Sequence, residues 1–559
     1  MSAVAVQPSP WAVPPSNTHR GLGTYFGFVW RRNWVRGFVW FLVTVGMYAF
    51  VAVFYLNTAK STPTFLDNFA DIVKAPALAT MVGVIDHPAT LGGAVWCKGW
   101  MFFSLMFGIG ILYLMTRNLR GDEEAGRLEL MRANPLGARS PLMASVIFCS
   151  LVSVVVGLFT ALSFIGVDAM VPQFLGADAP AAFRMALGGS FAFGASVMAI
   201  GLLGVGIAAI TNQIAPSDGA ANGLGIGLFA LFYIIRAAGD YVITDHPGLR
   251  QGLLWASPIG WGELVDPWGD NKVLPIVLMV VFSAVLVFIG WLVATRRDIS
   301  ASLVDAKSGP ANATKITQTV PGLALRTQRA SIIVWLVGLV IFGGILGSVV
   351  TKMKDLVGGM DKFAGLTGDS VAVHIFFMLP LAIGIFAVQS ASTLRTEEER
   401  GVMESQLAGG VSRVGWALKR LAVTLVAVLV MMLFVAATVG EMWAQAAADP
   451  TKVTMALQTI FAHLPAVLLL TSVPVLGLGL WPRQAAAVSW TVVGAMWALA
   501  ILGLTVLPEG VRNLIPFAGG PYYPVEPMNW TKEIVFLAIA VVFVVVGLIG
   551  FRRRNVPTI

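Results

Sequence analysis

Twelve apolar segments, each close to 20 residues long, recur along the chain and constrain its fold more than any other feature. A helix needs about 20 apolar residues to cross the hydrocarbon core of a bilayer. A segment in that core must satisfy its own backbone hydrogen bonds, which favours helices. Only 12% of the 559 residues are charged, against about a quarter in a soluble domain. We therefore predict an all-α polytopic membrane protein.

The predicted transmembrane helices number about twelve and form two groups of six. They lie at about 37–56, 94–116, 141–166, 186–211, 221–243 and 273–295, then at 331–350, 371–391, 416–439, 456–480, 486–507 and 532–551. Lys and Arg in short loops mark the cytoplasmic side. They concentrate in the loops after spans 2 and 8, so these loops and both termini are predicted to be cytoplasmic. Because six is even, the two groups are predicted to be parallel repeats.

The repeats define the predicted domain organisation. Residues 1–20 are interpreted as a disordered cytoplasmic tail, 21–297 as the first six-helix half, 298–329 as a polar cytoplasmic linker and 330–559 as the second half. Each half is predicted to begin with an interfacial helix, since aromatic and basic residues together favour the headgroup region. A Pro- and Trp-containing element precedes the last span of each half, at 257–272 and 515–532. We interpret it as an outer re-entrant hairpin.

One charged element occurs twice, at residues 118–133 and 393–408. Both copies read Arg-x-x-Glu-Glu-x-Gly-x-x-Glu-x-x-x-Ala. A solvated helix that obeys the positive-inside rule would explain a single copy. Two copies with identical spacing instead favour the interpretation that both copies have the same function. Glycine weakens a helix by about 1 kcal/mol relative to Ala. Gly126 and Gly401 are therefore predicted to lie where another surface approaches closely.

This repeated element and the outer Pro-Gly-Trp element resemble those of ABC-2-type exporter permeases. The doubled length is similar to the fused permeases of actinobacterial tetronasin-like antibiotic efflux systems. The resemblance implies that each charged element is a cytoplasmic coupling helix, which docks on a separate ATPase subunit present in two copies. The residues that the resemblance assigns to ATPase coupling are Arg120, Glu123, Glu124, Gly126 and Glu129, and Arg395, Glu398, Glu399, Gly401 and Glu404.

The sequence contains no recognisable energy source of its own. A P-loop needs a Gly-Lys step so that backbone N–H groups and Lys can hold phosphates, and this dipeptide is absent. No His-Glu-x-x-His, Cys-x-x-Cys or Gly-x-Ser-x-Gly pattern indicates a metal or catalytic site. We interpret the chain as a transport subunit and not an enzyme, without a cofactor, and assign ATP and Mg to the partner ATPase. Its basic residues flank apolar spans, which argues against nucleic-acid binding.

Two further sets of residues lie inside the spans. Arg236 and Asp240 are one turn apart and are predicted to form an intramembrane ion pair. Aromatic residues are frequent in the second and fifth spans of each half, where the resemblance places the substrate path. Singly they suit helix packing or lipid contact, but as a set they suit a greasy cleft. They are Phe102, Phe103, Phe107, Phe229, Phe232, Tyr233, Phe376, Phe377, Trp490 and Trp497.

The function implied by the resemblance is the permease subunit of an ATP-driven ABC exporter. It would lie in the bacterial plasma membrane, among membrane lipid, and expel hydrophobic or amphipathic antibiotics, drugs or lipids. The alternative is a proton-coupled secondary transporter of the major facilitator type, which also has parallel six-helix halves. That family carries a basic Gly-x-x-x-Asp-Arg-x-Gly-Arg loop after span 2, whereas acids come first here. No series of Asp, Glu and His recurs in both halves, which argues against a proton-driven pump.

Overall fold

The computed structural model describes residues 18–61, 66, 67, 70, 76–132, 136–241, 246–294, 312–357, 368–503, 509–512, 514–518 and 520–554. The chain divides into two compact units, Met1–Ser308 and Gly309–Ile559. Within the described ranges the secondary structure is helical, and β-structure is limited to an isolated bridge between Phe517 and Gly520. The prediction of an all-α polytopic membrane protein is confirmed.

Besides one short 3-10 helix, Ala181–Phe183, the described residues of the first unit contain thirteen α- or π-helices. They are α1 Leu22–Ser61, α2 Pro76–Val82, α3 Leu91–Val95, α4 Trp96–Ser104, α5 Leu105–Asn118, α6 Arg120–Glu124, α7 Arg127–Arg132, α8 Ser140–Leu175, α9 Leu187–Ile214, α10 Asp218–Tyr241, α11 Pro247–Trp255, α12 Pro258–Glu263 and α13 Val273–Val293. Segment α4 is π-helical, and its flanking residues keep right-handed helical backbone angles. Helices α3, α4 and α5 therefore follow one another without a break.

The second unit contains ten helices in its described part. They are α14 Val320–Val357, α15 Gly368–Phe376, α16 Met378–Glu399, α17 Val402–Leu407, α18 Arg413–Ala447, α19 Thr451–Ala462, α20 Leu464–Leu480, α21 Ala485–Gly503, α22 Glu509–Arg512 and α23 Trp530–Arg553. Two predicted spans, 371–391 and 456–480, are each broken once. The breaks fall at Phe377 and His463, and Pro380 and Pro465 follow them at positions where a helix tolerates proline.

Eleven of the helical stretches in the described residues are long and apolar enough to cross a membrane. The eleventh predicted span, 486–507, is the exception, because its apolar helical part covers only Ala485–Ala500. Residues 504–507 of that span lie outside the described residues. The structure thus gives six long spans in the first unit, and five with one shorter apolar helix in the second.

Three predicted boundaries differ from the structure. The interfacial helix and the first span form one continuous helix, α1, because Leu22–Ser61 contains no proline to break it. In the second unit α14 begins at Val320, so the last ten residues of the predicted linker are helical. Thr18–Arg20 form a turn, which shortens the predicted disordered tail. Residues 1–17 and 298–311 lie outside the described residues.

The outer elements before the last spans differ between the units. In the first unit the predicted element, 257–272, contains one short helix, α12, which follows α11, and the Ser257 hydroxyl between the two helices accepts a hydrogen bond from the Gly260 amide. The Trp268 ring packs against Phe164 and Phe193 inside the unit. In the second unit, the described residues of the predicted element, 515–532, form turns, the bridge between Phe517 and Gly520, and the start of α23.

The second and fourth spans are the most buried in each unit. Small residues bring the central helices close to their neighbours, as they commonly do where helices pack in membranes. A Cβ atom on Gly157 in α8 would lie 2.5 Å from the Gly194 carbonyl oxygen in α9. In the second unit, a Cβ atom on Gly479 in α20 would lie 2.1 Å from the Gly547 carbonyl oxygen in α23. These packed spans support the two charged loops.

Candidate functional site

The two charged elements fold alike, and neither is a single helix as predicted. In the first copy the chain turns between α6 and α7 at Gly126, where φ is +66°. In the second copy it turns between α16 and α17 at Gly401, where φ is +69°. A Cβ atom on Gly126 would meet no described atom of this chain within 4 Å, so the close approach that we predicted is not made by the described part of the chain itself. The glycines are needed for the left-handed backbone conformation itself.

An identical ion pair precedes each turn. Arg120 Nη1 lies 2.9 Å from Glu123 Oε2, and Arg395 Nη1 lies 2.8 Å from Glu398 Oε2. Glu123 and Glu398 are buried, and so is Arg120. Four of the residues that the resemblance assigns to ATPase docking therefore hold the loops together, and the three buried ones are poorly placed for contact with another protein.

In the first unit these buried groups fasten the loop to three long helices. Arg120 Nε donates to the Asn212 carbonyl oxygen near the end of α9, at 2.9 Å. The buried carboxylate of Asp122 pairs with Arg32 of α1 at 2.7 Å and with Arg127 of α7 at 2.8 Å. Since α6 begins one residue after α5, the loop is tied to α1 at Arg32 and to the ends of α5 and α9.

The second loop is fastened by different partners. Glu398 also pairs with Arg554, 2.6 Å away at the end of α23. Glu397 pairs with Arg420 of α18, and the Trp416 indole donates to the Gln406 side chain at 2.8 Å. The repeat thus preserves the internal Arg–Glu pair, while each unit ties its loop to its own neighbouring helices.

The remaining acids of the two copies face outward. Glu124, Glu129, Glu399 and Glu404 are all exposed. Glu124 also accepts a hydrogen bond from the Asp218 amide at the start of α10, and Glu399 lies 3.0 Å from Arg395. One further pair of matched positions is exposed. Leu130 of the first copy is 76% accessible, and the corresponding residue of the second copy, Ser405, is also exposed. These positions form two similar acidic surfaces, which we call the first and second acidic surface.

Replacing Gly126 with Ala tests the role of its backbone conformation. A left-handed residue with a Cβ atom is disfavoured by roughly 1–2 kcal/mol, so local opening of the turn should become about tenfold more frequent. Exchange of the Leu130 amide, which donates to the Gly126 carbonyl oxygen, should accelerate by this factor. Gly121→Ala is the matched control, because it adds a methyl group to helix α6 with a nearest contact of 3.8 Å. Equal exchange in both variants would contradict this explanation.

A pocket of about 320 Å³ is lined both by residues of the second charged element and by Trp490, one of the residues predicted to line the substrate path. Its wall includes Arg395 and Glu399 from α16, Pro474 from α20 and Trp490 from α21. Arg483, in the turn before α21, adds a second guanidinium to the wall. The pocket therefore combines an aromatic surface with charged groups of the second charged element.

The structure does not gather the other predicted path aromatics around an open cavity. Phe107, Phe229, Phe376 and Phe377 are buried in helix packing. Phe103, Phe232, Tyr233 and Trp497 are partly buried against neighbouring side chains. Phe102 and Trp490 keep large exposed fractions. In the described conformation, most of these ten aromatic residues therefore serve helix packing, as the alternative interpretation predicted.

The predicted ion pair of α10 belongs to a larger buried network. Arg236 Nη1 lies 2.9 Å from Asp240 Oδ2, and both side chains are fully buried. Glu263 of α12 lies 3.7 Å from Arg236 and 2.7 Å from Arg250 of α11. Arg236 also donates to the Thr80 carbonyl oxygen at 2.6 Å. The network fastens the two short helices and the end of α2 to α10.

Of this network, the spacing of residues in the sequence predicted only the Arg236–Asp240 pair, because both of its members lie on α10. Desolvation raises the pKa of the Glu263 carboxyl well above its ordinary value, because the side chain lies among buried groups that include Asp240. The sequence offered no pattern for Arg250 or Glu263, since both reach the network through tertiary packing.

A second outer contact gives a prediction about pH. His87 Nδ1 lies 2.6 Å from Asp266 Oδ2, and this hydrogen bond raises the pKa of His87 above its ordinary value. A raised pKa means that the contact contributes most at low pH and is lost as the pH rises through the folded-state pKa. In an NMR titration, Asp266→Asn should lower the pKa of His87 more than Asp86→Asn does. Equal effects of the two variants would contradict this assignment.

The fold and the two fastened loops define a multi-pass membrane protein with a duplicated charged element. Residues 318–552 match the family described as multidrug efflux system permease Rv1217c, C-terminal domain. Over 505 residues the chain is 30% identical to the multidrug efflux system permease protein Rv1217c of Mycobacterium tuberculosis, and the match covers 87% of this chain and 86% of that protein. The chain belongs to this family of efflux permeases. It is therefore a transport subunit rather than an enzyme, and the family gives no support to the secondary-transporter alternative.

Proposed function

We propose that the chain is the membrane-spanning permease of an ATP-driven ABC exporter, of the ABC-2 type, served by two copies of a separate ATPase subunit. The observation that carries this proposal is the pair of acidic surfaces. They occupy matched positions in the two units, each behind an identical Arg–Glu pair and a left-handed glycine. Duplication of an exposed surface suits a partner that binds twice.

The proposed mechanism follows from how each loop is fastened. A force applied to the first acidic surface reaches α9 through the hydrogen bond from Arg120 to the Asn212 carbonyl, and α1 through the ion pair of Asp122 with Arg32. In the second unit α16 itself carries the ion pair and ends at the turn. Closure of the partner ATPases on ATP and Mg would thus move the most buried spans of each unit.

The proposed cargo is a hydrophobic or amphipathic compound such as an antibiotic, a drug or a lipid. Trp490 offers an exposed aromatic surface in the same pocket as Arg395, which belongs to the coupling element. A compound bound there would contact both the apolar wall and a residue that holds the loop, which suits transport coupled to the ATPase. We further propose a bacterial plasma membrane location with both loops and both termini in the cytoplasm.

Reconstitution of this chain with a candidate ABC ATPase subunit tests the proposal. Inside-out vesicles containing both proteins should accumulate an amphipathic dye with ATP, and vesicles lacking the ATPase should not. A proton gradient without ATP should give no accumulation. Accumulation driven by the gradient alone would overturn the proposal and support a secondary transporter.

A further inference from the structure

The pocket of about 320 Å³ beside the second charged element carries one uncompensated charge. Arg483 lies in the turn between α20 and α21 and lines this pocket. Residues 464–508, which supply both helices, include no other charged side chain. Arg483 is exposed, and none of the residues that the structure describes forms an ion pair or a hydrogen bond with its side chain. Its guanidinium is therefore open to a ligand in the pocket.

The other charges around the pocket balance one another. Arg395 lies 2.8 Å from Glu398 and 3.0 Å from Glu399. Glu398 is shared with Arg554, which lies 2.6 Å away. Two guanidinium groups thus face two carboxylates, and their formal charges cancel. The pocket keeps the single positive charge of Arg483, which favours a ligand with a negative charge.

One helix supplies the pocket with a polar wall. Gln389, Ser392 and Thr396 recur at intervals of three and four residues along α16, so they share one face of it, and all three line the pocket. The side-chain carbonyl oxygen of Gln389 accepts from the Trp335 indole at 2.8 Å, which leaves its amide NH₂ group as a donor. The Ser392 hydroxyl donates to the Val388 carbonyl oxygen at 2.7 Å, which leaves its oxygen as an acceptor. This wall therefore suits the polar edge of an amphipathic molecule.

A second wall of the pocket is apolar. Trp490 is 46% exposed, and Pro474, Pro482 and Ala486 line the pocket with it. An indole ring offers a flat surface on which a flat apolar group can stack. The volume of about 320 Å³ lies at the lower end of the roughly 300–1,000 Å³ that is usual for small-molecule sites. The pocket can therefore hold one small compound, or the headgroup end of one lipid.

We propose that this pocket selects anionic amphiphiles from among the compounds that the chain exports. The apolar body lies against Trp490 and the negative group at Arg483, whose planar guanidinium can hold a carboxylate or a phosphate by two parallel hydrogen bonds. The inference rests on the proposed function, because it names the class of cargo that the exporter carries. Drugs with a carboxylate and phospholipids with a phosphate share this chemistry, so the test includes both.

Equilibrium dialysis of the full chain in detergent against protein-free micelles tests the proposal, with pyrenebutyric acid and its methyl ester as probes. The two probes share one flat apolar body and differ in charge. The wild type should bind the acid at least about fivefold more tightly than the ester, a ratio that corresponds to about 1 kcal/mol. Arg483→Gln should bind both probes with the affinity of the ester. Arg552→Gln is the matched control, because Arg552 is an exposed arginine at the end of α23 in the same unit, and it should keep the preference.

A second variant separates the aromatic wall from the charge. Trp490→Ala should weaken binding of the acid and the ester alike, because both lose the same stacking surface. Equal affinity of the wild type for the two probes would overturn the proposal, and so would an undiminished preference in Arg483→Gln. Displacement of the acid by phosphatidylglycerol and not by phosphatidylcholine would identify a lipid as a ligand of this class. Failure of both lipids to displace it would identify a drug-like carboxylate instead, and equal displacement by both lipids would overturn the proposal.

ATP-driven accumulation of the same probes in vesicles that also contain the ATPase separates this inference from the proposed function. Accumulation of the ester with ATP, together with equal binding of the two probes, would overturn the anionic selectivity and leave the proposed export intact. Binding of the acid through Arg483 without ATP-driven accumulation of either probe would contradict the proposed export, and with it the role of the ligand as cargo. The proposal predicts that Arg483→Gln lowers accumulation of the acid about fivefold and leaves accumulation of the ester unchanged.

Discussion

Replacement of Arg236 with Met is expected to destabilise the first unit by about 3–5 kcal/mol, the cost of leaving a buried charge without its partner. The guanidinium lies 2.9 Å from Asp240 and 3.7 Å from Glu263, and all three side chains are buried. Without it, two buried carboxylates would share the single cation of Arg250. Charges that lose their partner inside a membrane protein cannot be solvated cheaply. Thermal unfolding of the purified chain in detergent measures the effect.

A double variant separates loss of charge balance from loss of volume. Arg236→Met with Asp240→Leu removes both members of one pair and leaves Glu263 with Arg250 at 2.7 Å. It should recover most of the lost stability, because an apolar pair can replace a buried ion pair at little cost. Arg184→Met, which removes an exposed arginine from its pair with Asp168, should change stability little. Unfolding of Arg236→Met at the wild-type temperature would show that the network carries little stability.

Reversal of both acidic surfaces, by Glu129→Lys with Glu404→Lys, is expected to abolish ATP-driven efflux. Both residues are exposed and lie beyond the glycine turns, so the change leaves the internal Arg–Glu pairs intact. A reversed charge in a protein interface costs on the order of 1.4 kcal/mol or more, which is about tenfold in affinity. The two sites lie on separate units, so the double variant should weaken each of the two associations by about tenfold and joint binding of both ATPase copies by about a hundredfold.

The measurement for this variant is co-purification of the ATPase together with ATP-dependent dye accumulation. Asp178→Lys is the matched control, because Asp178 is an exposed acid just beyond the other end of α8. That helix has 36 residues and is about 54 Å long at 1.5 Å per residue. The control should retain both association and transport. Full association of the ATPase with the double variant would exclude the acidic surfaces as docking sites.

Much of the fold could be predicted from the sequence, because bilayer physics leaves few choices. A long apolar segment such as that of α13 must form a helix to satisfy its backbone, whatever its neighbours are. The Arg236–Asp240 pair could also be predicted from the sequence, because residues four apart on one helix are adjacent. Twofold repetition of the charged element similarly predicted two similar loops.

The internal structure of the two charged elements could not be predicted from the sequence in the same way. The sequence marked Gly126 and Gly401 as exceptional, but it did not distinguish a close approach from a left-handed turn. Arg554 and Glu398 pair across 156 positions, and no local pattern reports such a contact. Most of the aromatics assigned to a path, including Phe107, proved to be packed, because aromatic content does not distinguish a cleft from a core.

Site-specific crosslinking to the ATPase tests the central claim most directly. Leu130 and Ser405 occupy matched exposed positions on the two acidic surfaces, and the two native cysteines are buried. A cysteine introduced at either position should therefore provide the accessible thiol. The account predicts that Leu130→Cys and Ser405→Cys each crosslink to the partner ATPase in inside-out vesicles. Absence of crosslinks at both positions, with both thiols labelled only from the outer face of the membrane, would contradict it.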